Sequence, residues 1–148
     1  MSLFSLFQIS GSALNAERLR AEVATSNLAN AETTSTPEGG PYRRRMVTFS
    51  SQPASQFHLL LANSLGGEAA RPSGGVRVTG VAEDPTPPVR RYEPGNPDAD
   101  SDGYVAYPNV NPVQEMVDLM GAERAYELNA SAIGAAKQMI QQSLGILK

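Results

Sequence analysis

The chain has 148 residues, no cysteine and a formal net charge of −3, which is shared evenly between the two ends and the middle of the sequence. Without cysteine there is no disulfide framework, no thiol chemistry and no cysteine-based metal site. No segment carries the excess of lysine and arginine that nucleic-acid binding requires, so we expect no nucleic-acid partner.

Met1–Ile9 is apolar, but no cation precedes Arg18, whereas a secretory signal begins with positive charge. We therefore expect this segment to be retained in the mature protein. The densest later apolar run, Leu59–Ala62, is far shorter than the roughly 20 residues that span a bilayer. No membrane span is expected.

All eleven prolines lie between Pro37 and Pro112, which leaves both ends of the chain free to form long helices. Residues 12–30 are rich in alanine and lack proline and glycine, so they predict a helix. Gly11 is expected to bend or interrupt it near its start. The apolar side chains of this segment fall on two opposite helical faces, and each face needs a packing partner. One face carries Phe7, Leu14, Ala21 and Leu28, and the other carries Ile9, Ala16, Leu19 and Val23.

The middle of the chain contains four short segments that are rich in strand-forming residues and separated by glycine and proline. They predict a small β element with strands at Tyr42–Phe49, Val76–Val81, Val89–Glu93 and Tyr104–Tyr107. Residues 52–73 show no clear pattern. A short helix, a strand and a segment that orders only in an assembly all stay open for them.

A second helix is predicted from Pro112 to residue 146. Asn111 is placed to cap it, Pro112 suits the first helical position, and Glu115 suits the positive end of the helix dipole. Apolar residues then recur every seven positions, which is the repeat of a supercoiled seam. These residues are Leu119, Tyr126, Ile133, Ile140 and Leu147. A second apolar stripe consists of Val113, Met116, Val117 and Met120.

The predicted fold is mainly α with a small β insert, and its N- and C-terminal helices pair as a coiled coil. Residues 1–36 plus 112–148 form the helical domain in this prediction, and residues 37–111 form an irregular, β-rich inserted segment. Two paired helices need only one apolar face apiece, whereas each helix here carries two. The second faces are therefore predicted to pack against other molecules, which is typical of a building block rather than an enzyme.

The strongest resemblance to a ligand site is Asp98–Gly103, which matches the first six positions of a calcium-binding EF-hand loop. The twelfth position is Asn109 where a bidentate glutamate is required, and the proline-containing segment before the loop cannot be the entering helix. Acidic and glycine-bearing clusters of this kind commonly form hydrogen-bonded turns, and a structural turn is our expectation.

Two further features lack the residues that a functional site requires. His58 is the only histidine, and a lone histidine without cysteine partners lacks the ligand set of a zinc site and the neighbours of a catalytic base. Arg43–Arg45 do not form one anion-binding patch on a strand, because alternate residues face opposite sides. We predict no catalytic residue, no metal and no cofactor.

Several segments together resemble the flagellar rod and hook proteins of bacteria. Ser26–Ala31, with the sequence Ser-Asn-Leu-Ala-Asn-Ala, is similar to the short signature of that family. A longer stretch is similar to the proximal rod members in particular, and Gly11–Leu14 and Pro41–Arg44 agree with it. That stretch comprises Tyr92–Pro97, Gly103–Val105, Pro108–Asn111 and Glu115–Met120.

The resemblance implies a subunit of the periplasmic rod, the shaft that carries motor torque, exported unfolded by the flagellar type III apparatus. It implies that the terminal helices pair and pack into the inner layer of a tube. The implied partners are other rod proteins, copies of the same chain, the export apparatus and the surrounding rings. Another rod or hook subunit, or a secreted calcium-binding adaptor, are the alternatives.

The candidate assembly residues combine the helical stripes with the polar residues of the family-like segments. They are Leu14, Ala21, Asn27, Leu28, Asn30, Asn109, Asn111, Met116, Met120, Tyr126, Ile133, Ile140 and Leu147. Asn27 and Asn30 are expected to terminate the first helix and to hydrogen-bond to a neighbouring strand or subunit.

Overall fold

The computed structural model describes residues 3–52 and 74–146. Within these ranges the elements in chain order are α1 (Leu3–Ala29), β1 (Arg45–Gln52), β2 (Gly75–Glu83), β3 (Val89–Tyr92), β4 (Tyr104–Tyr107) and α2 (Pro112–Ile146). Strand β1 pairs with β2, and β3 pairs with β4, which gives two sheets of two strands. The predicted mainly α fold with a small β insert is confirmed, whereas the coiled-coil pairing of the helices stays a prediction.

The chain divides into two compact units, each of which contains part of both helices. The first unit comprises the described residues within Met1–Arg18, Phe49–Thr79 and Glu123–Lys148. The second unit comprises Leu19–Thr48 and Gly80–Ala122. The division predicted from sequence, a helical domain and an inserted segment, stays a prediction. In the described part of the chain, neither helix is long and apolar enough to cross a membrane.

Helix α1 runs without interruption through Gly11, so the predicted interruption at this residue is wrong, whereas the alternative of a bend stays a prediction. A single glycine costs a helix about 1 kcal/mol relative to alanine, which the rest of a helix of 27 residues outweighs. The helix ends at Ala29, and Asn30 follows it. The Asn30 amide group donates to the Ser26 carbonyl at 2.9 Å, as its backbone N–H does at 3.1 Å, so Asn30 closes the last turn.

Helix α2 begins as predicted. The Asn111 Oδ1 accepts the backbone N–H groups of Val113 at 3.1 Å and Gln114 at 3.4 Å, which satisfies two donors that the helix itself cannot. The helix buries small side chains most deeply, since Ala122 and Ala136 are fully buried whereas Ile133 and Ile140 are half-buried. Alanine at buried positions allows a neighbouring backbone to approach closely.

In the first unit, α1 contacts the start of β2. The Ser12 Oγ donates to the Ile9 carbonyl at 2.7 Å and accepts from the Val76 N–H at 3.0 Å. A Cβ added to the buried Gly75 would lie 3.0 Å from the Ser12 Oγ, which is tighter than ordinary contact. A larger residue at position 75 would require the Ser12 side chain to shift by a few tenths of an ångström, because the strand backbone meets the helix closely here.

In the second unit, β3 and β4 are antiparallel, with Val89 opposite Tyr107 and Tyr92 opposite Tyr104. Val105 is almost completely buried at 1% exposure and anchors the inner face of this hairpin. Strand β1 begins at Arg45, three residues later than predicted. The reason is that the Tyr42 N–H donates to the Thr33 carbonyl at 3.0 Å, so the preceding segment follows the loop after α1.

Candidate functional site

The second unit contains a buried polar network whose central residue is Asn27. Asn27 is 1% exposed, and its carboxamide makes four hydrogen bonds. The Nδ2 donates to the Arg45 carbonyl at 2.8 Å and to the Glu115 Oε2 at 3.0 Å. The Oδ1 accepts from the Tyr42 hydroxyl and from the Arg45 N–H, both at 2.9 Å. All donor and acceptor sites of the amide are thus used within the chain.

Glu115 joins this network from the first turn of α2. It is 2% exposed, and a buried carboxylate is tolerated only when it is paired and hydrogen-bonded. The second carboxylate oxygen, Oε1, accepts from the Arg44 Nε at 2.6 Å. The position of Glu115 near the helix N-terminus adds a favourable interaction with the dipole.

Arg44 connects the buried network to charges nearer the surface. Its guanidinium lies 3.8 Å from the Asp84 Oδ2 and 3.9 Å from the Asp118 Oδ2, and Asp118 also accepts from the Arg20 Nη2 at 3.1 Å. The side-chain and backbone hydrogen bonds from Thr86 are the main reason that the pKa of Asp84 lies below its ordinary value. The network contains two cations and three carboxylates, and it ties α1 to α2 at two positions.

The segment that resembles an EF-hand loop forms a hydrogen-bonded turn, as predicted. The Asp100 carboxylate accepts the backbone N–H groups of Asp102 at 3.0 Å and Tyr104 at 2.8 Å, and it also pairs with Arg90. The Asp98 carboxylate accepts from the Thr34 hydroxyl at 2.6 Å. Over residues 3–52 and 74–146, no three acidic or histidine side chains are grouped as metal ligands. The geometry is that of a structural turn.

Two carboxylates in this hairpin are held in their ionised form. The hydrogen bond from Tyr104 is the main cause of the lowered pKa of Asp100. The hydrogen bonds from the Asn96 amide at 3.1 Å and the Tyr107 hydroxyl at 2.9 Å lower the pKa of Glu93. The same bond to Glu93 raises the pKa of Tyr107.

The second site is the apolar stripe of α2, which consists of Val113, Met116, Val117 and Met120. These side chains are 68%, 50%, 57% and 67% exposed. Their spacing of three and four residues places them on one face of the helix. Glu115 and Ala122, which are both buried, lie on the opposite face. The unit therefore packs one side of α2 and leaves the other side open.

The remaining candidate assembly residues differ in their exposure to solvent. Those that are half-buried on the helices or at the end of α1 are Leu14, Ala21, Leu28, Asn30, Ile133 and Ile140. Those that are exposed are Asn109, Asn111 and Tyr126, the last at 43%. Leu147 and His58 lie outside the described residues. The role of the whole set in assembly stays a prediction.

The sequence predicted that Asn27 terminates the first helix and hydrogen-bonds to a neighbouring strand or subunit. Asn27 instead lies inside α1, which ends at Ala29, and it hydrogen-bonds to β1 of the same chain. The partners Arg44 and Glu115 were not predicted. Arg44 lies in the loop just before β1, so the alternation of strand residues gave no indication of where its side chain lies. Nothing local to the sequence joins Arg44 to Glu115, 71 residues away.

Comparison with known proteins supports the same family over both ends of the chain. Residues 7–35 match a family model described as flagella basal body rod protein, and residues 101–146 match one described as flagellar basal body rod FlgEFG protein C-terminal. Asn27 lies in the first of these ranges, and Glu115 and the apolar stripe lie in the second.

Three similar relatives, aligned over nearly their full length, are flagellar basal-body rod proteins named FlgC. The protein of Borreliella burgdorferi is 39% identical over 158 aligned positions, which cover 100% of this chain and 99% of that protein. The Bacillus subtilis protein is 41% identical and covers 100% of each chain, and that of Escherichia coli O6:H1 is 42% identical over 97% of each. This chain therefore belongs to the FlgC family of rod proteins, the structural subunits of the flagellar basal body.

Proposed function

We propose that this chain is a subunit of the proximal rod, and that it assembles with copies of itself and with other rod proteins into the tubular shaft that transmits motor torque. The observation that carries this proposal is the exposed apolar stripe of α2. Four large apolar side chains are half exposed or more on the helix face opposite the buried Glu115 and Ala122. Such a contiguous patch is typical of an interaction surface.

The size of the stripe indicates how many contacts a subunit needs. Completing the burial of four large apolar side chains that are half to two-thirds exposed contributes about 4–7 kcal/mol. Association costs at least about 4 kcal/mol in lost translational and rotational freedom, so one stripe alone gives weak binding. A stable shaft therefore requires several such contacts per subunit. Heterologous contacts that do not close on themselves build a tube of this kind.

The terminal helices are proposed to pair as a coiled coil in the inner layer of the tube, and their second apolar faces are proposed to supply those further contacts with neighbouring subunits. The seven-residue spacing of Tyr126, Ile133, Ile140 and Leu147 supports this arrangement. Leu14 is the proposed partner on the first helix, and Leu28 belongs to the proposed assembly surface. Asn109 and Asn111 border the start of α2, where the exposed stripe begins.

The rod location implies passage through the flagellar type III export apparatus, without a cleaved signal, to the periplasm. Contacts with the surrounding ring proteins are part of the proposal. A mechanical subunit needs no catalytic group and no cofactor, and we propose a purely structural role.

The proposal is tested by Met120→Asp in the flagellated host, with the neighbouring Gln114→Asp as the matched control. Both positions are exposed, but only Met120 belongs to the stripe. Met120→Asp should abolish motility and rod assembly while the subunit is still exported, whereas Gln114→Asp should swim. Ile133→Asp tests the proposed coiled coil in the same way. Motile cells with complete basal bodies that carry Met120→Asp would show that the stripe is not an interface.

A further inference from the structure

In the contact between Asn27 and Arg45, both backbone polar groups of one residue bind one side chain. The Arg45 N–H donates to the Asn27 Oδ1 at 2.9 Å, and the Arg45 carbonyl accepts from the Nδ2 at 2.8 Å. This is the two-point pattern that a neighbouring strand makes with a hydrogen-bonded residue. The asparagine side chain thus takes the place of a strand at the point where β1 begins.

The same carboxamide binds the first turn of α2. Its Nδ2 also donates to the Glu115 Oε2 at 3.0 Å, and the Glu115 carboxylate is 2% exposed. The start of β1 and the start of α2 are therefore joined through one rigid, planar group on α1. The Arg45 carbonyl and the Glu115 carboxylate accept from the same Asn27 nitrogen, so a displacement of Glu115 that moves this nitrogen also disturbs the hydrogen bond to Arg45.

We propose that Asn27 is a positioning residue that couples the order of the β1 start to the docking of α2, through Arg45 on one side and Glu115 on the other. All four hydrogen bonds require a side chain that has two donor and two acceptor sites at the distance of the asparagine amide from the helix backbone. Aspartate lacks the donors, and glutamine places the amide one methylene further from the helix. Since the apolar stripe begins in the same turn as Glu115, the coupling also fixes which way the stripe faces; this last consequence rests on the proposed function.

The coupling is tested by amide hydrogen exchange, measured by NMR on the isolated full-length chain with Asn27→Asp. At neutral pH the new carboxylate lies beside that of Glu115, and two adjacent carboxylates repel each other unless they share a proton. The other charged and titratable groups that surround the pair are Tyr42, Arg44, Arg45, Asp84, Asp118 and Arg20.

Asn27→Asp should lower the protection of the Arg45 amide and of the α2 amides that follow Glu115 by about tenfold or more at pH near 7. Protection corrected for intrinsic rates should recover in part in acid, when the carboxylate pair takes up one proton, because that proton supplies one of the two donors that Asn27 provides. The double variant Asn27→Asp with Glu115→Gln exchanges the amide and the carboxylate, so it should recover much of the protection without acid.

Asn30→Asp is the matched control. It introduces the same charge three residues away, on an amide that donates to the Ser26 carbonyl and accepts from the Thr33 hydroxyl. It should leave the exchange of Arg45 and of the first turn of α2 unchanged at both pH values. The proposal is overturned if Asn27→Asp affects Arg45 alone, if it shows no recovery in acid, or if the double variant is as labile as the single one. These readouts come from the unassembled chain, so their failure is distinct from failure of the rod assignment.

Discussion

Removal of the buried carboxylate by Glu115→Ala is the perturbation for which the structure gives the clearest magnitude. Loss of one partner from a fully buried ion pair costs about 3–5 kcal/mol, because the other charge stays buried. Here the Arg44 side chain is 24% exposed and has Asp84 and Asp118 within 4 Å, so it keeps partial compensation. Asn27 loses one of its four hydrogen bonds. We expect the free energy of unfolding to fall by about 3 kcal/mol.

Urea unfolding measured by near-UV circular dichroism is the suitable assay. Four of the five tyrosines lie in the second unit and there is no tryptophan, so the aromatic signal reports mainly on this unit. With a urea dependence of about 2 kcal/mol/M, the midpoint should fall by about 1.5 M. Gln114→Ala, an exposed change in the same helical turn, should alter stability by less than about 0.5 kcal/mol. Equal midpoints for the two variants would refute the inference that Glu115 holds this unit together.

Three further predictions concern the hairpin and the helix cap. Gly103→Ala should lower the free energy of unfolding by about 1–3 kcal/mol in thermal unfolding, since Gly103 has φ +79° and a Cβ would lie 2.9 Å from the Tyr92 ring. Gly95→Ala is the control and should change stability little, because a Cβ at Gly95 meets open space. Because the pKa of Glu93 is lowered in the folded chain, the ionised carboxylate stabilises the fold above pH of about 4, and this stabilisation is lost as the pH falls through the folded pKa. Glu93→Gln should therefore reduce the fall in melting temperature between neutral and acidic pH. A fall equal to that of the unmodified chain would contradict this. Asn111→Ala should cost about 1 kcal/mol and speed amide exchange in the first turn of α2, and full retention of protection there would rule out the cap.

The elements themselves were largely predictable because their determinants are local. Proline at the first position and asparagine before it marked the start of α2 correctly. The strands β3 and β4 followed from their aromatic and β-branched residues and the punctuation between them. The error at Gly11 arose because propensity at one position is outweighed by the rest of a long helix.

The polar network was only partly predictable because its contacts are distant in sequence. Asn27 meets Arg45 across 18 residues and Glu115 across 88. The sequence analysis assigned Glu115 to the helix dipole alone, which is correct for its position but does not identify its partner. The exposed stripe was predictable, since helical periodicity depends only on the spacing of Val113, Met116, Val117 and Met120.

The most direct test of the account is the accessibility of the stripe before and after assembly. The chain has no cysteine, so Met120→Cys provides a single reactive thiol at the C-terminal end of the stripe. A maleimide should label this thiol readily in the purified subunit and in dissociated basal bodies, but not in intact basal bodies. Equal labelling in intact basal bodies and in the free subunit would contradict the claim that the open face of α2 joins the subunit to its neighbours.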